Sequence, residues 1–265
     1  MGRIEERFAV LRERSEQALI PFVTAGDPDL KTTEALIPAL VAAGADLIEI
    51  GVPFSDPIAE GPTIQRASER ALAAGASLRR TLGMIKGLRE RVDVPLVLMG
   101  YANPFLAMGD RECTEAVATA GVDGVICVDM PPEEGTSFRA ELERCGVDSI
   151  LLASPTTVPE RLAMLARETR GFLYYVSLTG VTGAREGLAD DIEEQVARIR
   201  ETSNVPVCVG FGVSTPEHSA QLGRFADGVV VGSALVNVIA ETSTIDEAVD
   251  AASRFVTALK APLKK

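Results

Sequence analysis

Two carboxylates, Glu49 and Glu60, stand in one stretch, DLIEIGVPFSDPIAEGPTIQ, running over residues 46–65. The first part reads as a strand, with Leu47 and Glu49 on one side and Ile48 and Ile50 on the other. Gly51, Pro53 and Pro57 then break the periodicity and open a loop at the strand's C-terminal end. Asp56 and Glu60 lie on that loop, before Gly61-Pro62 starts a helix with proline at its first position. A glutamate inside an apolar strand must be buried, paired or functional, because burying a lone carboxylate is costly. Burial would raise its pKa and let it carry a proton near neutrality. Pairing with a distant arginine, in a purely stabilising role, is the other reading, and the strand alone does not separate the two.

Other chemistries find few residues. The single histidine, His218, follows Thr215-Pro216 and falls in the first turn of a helix that Thr215 caps, so it reads as a surface residue. No His/Asp/Glu cluster has metal-ligand spacing, and no metal is expected. Ser55, Ser154 and Ser177 have no evident base. Lys31, Lys86, Lys260, Lys264 and Lys265 all lie on helices or the tail, which counts against a Schiff-base aldolase. Carboxylate acid–base chemistry remains.

Three glycine-bearing loops suggest what it would act on. They are Gly180-Val181-Thr182-Gly183, Gly210-Phe211-Gly212 and Gly232-Ser233. Glycines let backbone N–H groups approach phosphate oxygens, and Gly232-Ser233 also opens a helix whose N-terminus favours an anion. Any one of these loops alone would read as a tight turn, but three in succession favour a phosphate cradle. Phe22, Met99, Tyr174 and Phe211 offer walls for a flat apolar group, or ordinary core.

The elements that must position these residues alternate strand and helix from end to end. Strands are expected at 18–23, 46–50, 94–99, 124–128, 148–152, 172–176, 205–209 and 227–231, with helices between them. Three helices end alike, at Ala43-Gly44-Ala45-Asp46, Ala120-Gly121-Val122-Asp123 and Cys145-Gly146-Val147-Asp148, each with glycine as a left-handed C-cap. The repeat predicts α/β architecture: a (β/α)8 TIM barrel over residues 1–265 as a single domain, with an extra N-terminal helix at 4–11. A doubly wound open sheet is the alternative, but no GxGxxG follows the first strand. In a barrel the loops after strand C-termini carry the site, and the glycine- and proline-rich clusters fall there.

Composition bounds the partners. The chain has 265 residues, 46% hydrophobic and 24% charged, with a net charge of −12. That charge argues against nucleic acid or an anionic membrane surface. The four cysteines, Cys113, Cys127, Cys145 and Cys208, form no CxxC pair, and Cys127 and Cys208 read as small core residues, as in a reducing cytoplasm. The charged N-terminus is not read as a signal peptide, and no apolar run reaches the roughly 20 residues that span a bilayer.

Six motifs taken together carry a resemblance: PFVTAGDPD (21–29), EIGVPFSDPIAEGPTIQ (49–65), GYANP (100–104), GVTGAR (180–185), GFGVS (210–214) and VGSALV (231–236). The chain resembles the tryptophan synthase alpha subunit family, with the motifs in order over nearly its whole length. The resemblance implies a barrel lyase that cleaves indole-3-glycerol phosphate to indole and glyceraldehyde 3-phosphate by a retro-aldol step, without metal or cofactor. It also implies a beta-subunit partner, in an α2β2 assembly, that carries pyridoxal phosphate. By the same resemblance Glu49 is the acid/base, and Glu60 takes the place of an aspartate that stabilises charge on the indole ring. Thr182 matches a loop threonine that contacts this carboxylate. Gly183, Gly212, Gly232 and Ser233 match phosphate-binding positions, and Phe22, Met99 and Tyr174 match the indole pocket, with Phe211 expected beside them. Glu60 is the one departure, since it adds a methylene. A stand-alone lyase, and a weakly catalytic subunit that activates its partner, are the alternative functions.

Overall fold

A computed structural model describes residues 2–176, 187–203, 205–210 and 212–264. Nine strands pair in parallel throughout: β1 (Ala18–Thr24), β2 (Ile48–Gly51), β3 (Leu96–Gly100), β4 (Gly124–Cys127), β5 (Asp148–Ser149), β6 (Leu151–Ala153), β7 (Leu173–Val176), β8 (Val207–Gly210) and β9 (Gly228–Val231). Their order is β5-β4-β3-β2-β1-β9-β8-β7-β6. The two ends of that order are consecutive in the chain, so the sheet curls into a nearly closed barrel. The fifth expected strand is thus two short ones. Up to Ile150, whose N–H donates to the Val125 carbonyl, the chain pairs with β4, and from Leu151 it pairs with β7. Staggered strands in a barrel overlap their two neighbours over different residues, and here the overlaps do not coincide.

Alternation along each strand sorts the core. Ile20, Leu47, Val97, Ile126, Phe172, Tyr174, Cys208 and Val230 point inward and form one cluster. Leu19, Val23, Ile48, Ile50, Leu98, Val209 and Val229 point outward, against the helices. The helices on that outer side are α2 (Leu30–Ala42), α3 (Pro62–Ala73), α4 (Leu78–Leu88), α5 (Ala102–Leu106), α6 (Asp110–Ala120), α7 (Thr136–Arg144), α8 (Pro159–Glu168), α9 (Gly187–Thr202), α10 (Pro216–Leu222), α11 (Ser233–Ala240) and α12 (Ile245–Lys260). The N-terminal helix α1 (Arg3–Glu13) does more than show a solvated face. Ile4, Phe8 and Leu11 share one side of it and join the interior cluster, closing the barrel's N-terminal end. Phe8 meets Phe172 at 6.1 Å between ring centroids. Each buried side chain of this size contributes about 1.5–3 kcal/mol.

The helix-ending repeats behave as expected, since Gly44, Gly121 and Gly146 all have positive φ, at 108°, 84° and 72°. An aspartate just before a strand, after two of these glycines and again at Asp227, has a role of its own. Asp46 accepts the Leu19 N–H at 2.8 Å, Asp123 accepts that of Leu96 at 2.8 Å, and Asp227 accepts that of Val207 at 2.9 Å. Each ties the start of its own strand to the start of the preceding neighbour, and each meets a cation: Lys260, Arg89 and Arg200 respectively. Asp148 makes no such bond among the described residues. Burial, then the charges of Asp123 and Glu5, push its carboxyl up to about 6 despite Arg170.

The Asp46 link is the most enclosed. Lys260 is 2% exposed, and its Nζ donates to Asp46 Oδ2 and to the Gln17 carbonyl, both at 2.8 Å, fastening α12 under the barrel. Removing one partner of a buried pair strands the other charge. Asp46→Ala is therefore expected to lower stability by roughly 3 kcal/mol, read as a shift of the urea unfolding midpoint.

Candidate active site

Glu49 sits in the middle of β2, in register with Phe22 of β1 and Val97 of β3. It faces the barrel interior, is 1% exposed, and its Oε2 has no hydrogen-bond partner among the described residues. Burial first, and the neighbouring Glu60 charge second, push its pKa from 4.5 up to about 8. The stabilising reading, an arginine partner, is not met among the described residues. Glu49 is instead a carboxyl that keeps its proton near neutrality.

Glu60 stands on the loop between β2 and α3, half-buried, and burial raises its pKa as well. The loop is pinned around it. The Glu60 N–H donates to the Pro57 carbonyl at 3.0 Å, Gln65 Nε2 donates to the Glu60 carbonyl at 3.0 Å, and the Ala59 N–H donates to Tyr101 Oη at 3.0 Å. Tyr101 in turn stacks on Phe54, with centroids 5.2 Å apart. Burial raises the Tyr101 hydroxyl to about 12, so it stays a neutral acceptor for that loop.

Glu60, Phe22 and Met99 line one cleft at the C-terminal end of the barrel, together with Thr24, Ile64 and Tyr101. Tyr174 lies deeper, in the interior cluster, where burial and then the charges of Glu49 and Glu60 raise its hydroxyl well above the ordinary range. Two glycines make room for the rings. A Cβ on Gly51 would stand 2.5 Å from Phe22 Cζ, and one on Gly210 would collide with the Tyr174 hydroxyl. On the adjacent rim, Gly212 follows β8 with φ 49°, and Gly232 caps α11, which begins at Ser233. Gly232 neighbours Phe22, whose Cβ is its nearest foreign atom, 3.8 Å from the position a Cβ would take. Among the described residues no group of three or more His, Cys, Asp or Glu is placed to hold a metal.

Comparison with known proteins now bears on this geometry. The family described as tryptophan synthase alpha chain matches residues 8–264. The chain belongs to that family. A tryptophan synthase alpha chain from Geobacter sulfurreducens is 53% identical over 260 residues, covering 98% of each chain. The tryptophan synthase subunit alpha of Legionella pneumophila superposes with a TM-score of 0.90 at 38% identity, covering 99% of this chain and 98% of that one. A tryptophan synthase structure from Mycobacterium tuberculosis gives a TM-score of 0.90 at 37% identity, covering 100% and 99%. Membership makes the chain a carbon–carbon lyase of tryptophan biosynthesis that cleaves indole-3-glycerol phosphate, and it implies a beta-subunit partner. No helix among the described residues is long and apolar enough to cross a membrane.

Of the residues expected from the sequence, Glu49, Glu60, Phe22, Met99 and Tyr174 gather at the C-terminal half of the barrel, with Gly212, Gly232 and Ser233 on its rim. Thr182, Gly183 and Phe211 lie outside the described residues. His218 is half-buried, and its N–H donates to Thr215 as the capping pattern predicts. Reasoning from sequence passed over Tyr101, Ile64 and Thr24. Their one available signal was position, immediately after a strand or at the start of the helix beyond Glu60.

The raised pKa has a sign that can be checked. Glu49 binds its proton more tightly folded than unfolded, so ionisation above pH 4.5 weakens the fold progressively up to about pH 8. Glu49→Gln, which never ionises, is expected to match the parent near pH 4 and to exceed its stability by roughly 2–5 kcal/mol near pH 8, measured by guanidinium unfolding at both pH values.

Proposed function

We propose that Glu49 is the proton donor and acceptor of the cleavage, with Glu60 balancing charge on the indole ring. The observation that carries this is the enclosed Glu49 carboxyl, unpaired at Oε2 among the described residues and protonated near neutrality, below a cleft that Glu60 lines. Protonated Glu49 gives its proton to C3 of the indole ring, leaving positive charge on the ring nitrogen. Glu60, from the rim, stabilises that charge by taking up the N1 proton, and returns it to the nitrogen as the ring is restored. The Glu49 carboxylate then accepts the proton of the hydroxyl on the carbon joined to C3. That oxygen becomes the aldehyde of glyceraldehyde 3-phosphate, the carbon–carbon bond breaks, and its electron pair returns to the ring. Indole leaves, and Glu49 ends protonated as it began. General acid–base steps of this kind are worth about 10²–10⁴-fold in rate.

Phe22, Met99 and Tyr174 wall the indole, and Phe211 is taken as a further wall. Gly183, Gly212, Gly232 and Ser233 hold the phosphate with backbone N–H groups, helped by the N-terminus of α11. Thr182 meets Glu60 when the site closes. Residues 1–265 act as one barrel domain, in the cytoplasm, within an α2β2 assembly. The beta subunit docks on the rim that holds the cleft. Large apolar side chains are exposed in the segments that follow β2, β3 and β6: Ile58 at 83%, Leu106, at the end of α5, at 50% and Val158 at 56%. Docking would press on the loop that carries Glu60. Glu60 has one more rotatable bond than aspartate, and a partner that orders it would offset part of the entropy lost.

Steady-state indole release by the purified chain, with and without a beta subunit, tests the roles. Glu49→Gln is expected to lose at least ~100-fold in rate in both settings. Glu60→Ala should abolish turnover, whereas Glu60→Asp should stay active and depend less on the partner. An active Glu60→Ala protein would leave Glu49 as the sole catalytic carboxylate.

A further inference from the structure

Thr24 ends β1 on the inward face, two residues beyond Phe22, and pairs with Gly51. It is 4% exposed, lines the cleft beside Glu60 and Met99, and its Oγ1 makes no hydrogen bond with any described residue. A buried hydroxyl left without a partner costs stability and calls for a reason. An apolar residue of the same shape would fill the position without that cost.

Sheet order identifies what would meet the hydroxyl. β1 lies between β2, which carries Glu49, and β9, which leads to Gly232 and Ser233. Phe22, one inward step below Thr24, spans the same interval: its ring covers Gly51 and its Cβ faces Gly232. On the reading above, on which this inference rests, the indole lies among Phe22, Met99 and Tyr174 with Glu49 and Glu60 beside it, and the phosphate lies over Gly232 and Ser233. The chain of carbons joining them must cross the C-terminal end of β1. That chain carries two hydroxyls. The first, on the carbon bonded to indole C3, reacts with Glu49. The second, on the next carbon, takes no part in the bond changes and passes over Thr24.

We propose that Thr24 is a substrate-binding residue whose hydroxyl hydrogen-bonds the second, non-reacting hydroxyl of the glycerol chain. The contact fixes the torsion of that chain and so presents the reacting carbon to Glu49. A hydroxyl built to pair with a substrate hydroxyl also discriminates against a substrate that lacks it, because the buried group then stays unpaired.

The test compares indole-3-glycerol phosphate with its 2′-deoxy analogue, which lacks only the second hydroxyl and can still undergo the same cleavage. Wild-type protein is expected to prefer the full substrate by about 10-fold in kcat/KM. Thr24→Val should lose about that factor on the full substrate, stay within about twofold on the analogue, and so abolish the preference, while Thr24→Ser should keep it. Equal losses on both substrates, or no loss on either, would overturn the proposal. The wild-type preference is read without any variant, so its absence overturns the proposal even if Thr24→Val fails to fold. Wild-type protein that cleaves neither substrate, alone or with a beta subunit, would instead overturn the lyase reading beneath it.

Discussion

Glu49 is kept from water with no cation against it among the described residues, and its Oε2 is unpaired. Such a group costs the fold stability whenever it ionises, and it persists only where the surroundings leave it no other place. The surroundings here are built from both ends of the barrel. From below, Ile4, Phe8 and Leu11 of α1 stop water entering, and the bonds from Asp46, Asp123 and Asp227 tie adjacent strand starts together. From above, the ring of Phe22 covers the interior while that of Tyr174 fills it, and they fit because Gly51 and Gly210 offer no side chain to oppose them. The result is a dry site in which a carboxyl holds a proton near neutrality.

The second carboxylate has the same chemistry and a different setting. Glu60 is half-buried at the rim, on a loop whose backbone is held by Pro57, Gln65 and Tyr101. With the backbone pinned, the added methylene relative to the aspartate that the family resemblance implies must be absorbed by the side chain. A site with one enclosed acid and one partly solvated carboxylate can hold a proton on the first while the second answers positive charge. This is a division of labour by environment rather than by residue type.

Much of this could be read along the chain, and the remainder failed for definite reasons. Glu49 stood out because a charge interrupts an apolar strand. The glycines at 44, 121 and 146 announced helix ends because the left-handed conformation admits few other residues. The aspartates beside them looked like part of the same signal. The bonds of Asp46 to Leu19 and of Asp123 to Leu96 join neighbouring strands of the barrel, which spacing does not reveal. Helix α5 was hidden because Gly100 to Pro104 reads as a turn, and its start depends on Asp129, which accepts the Ala102 N–H at 2.7 Å from the following loop. Thr24 and Tyr101 are ordinary residue types, and only the closed sheet brings them to the cleft.

The account turns on the protonation of Glu49, which can be observed directly. Carbon-13 NMR of protein labelled at the glutamate carboxyls, with the Glu49 resonance assigned by its loss in Glu49→Gln, gives the pKa of that one group. The account predicts a midpoint near 8. It also predicts that removing the neighbouring charge with Glu60→Gln lowers the midpoint yet leaves it well above 4.5, because burial is the larger cause. A Glu49 midpoint near 4.5 in the intact chain would contradict it.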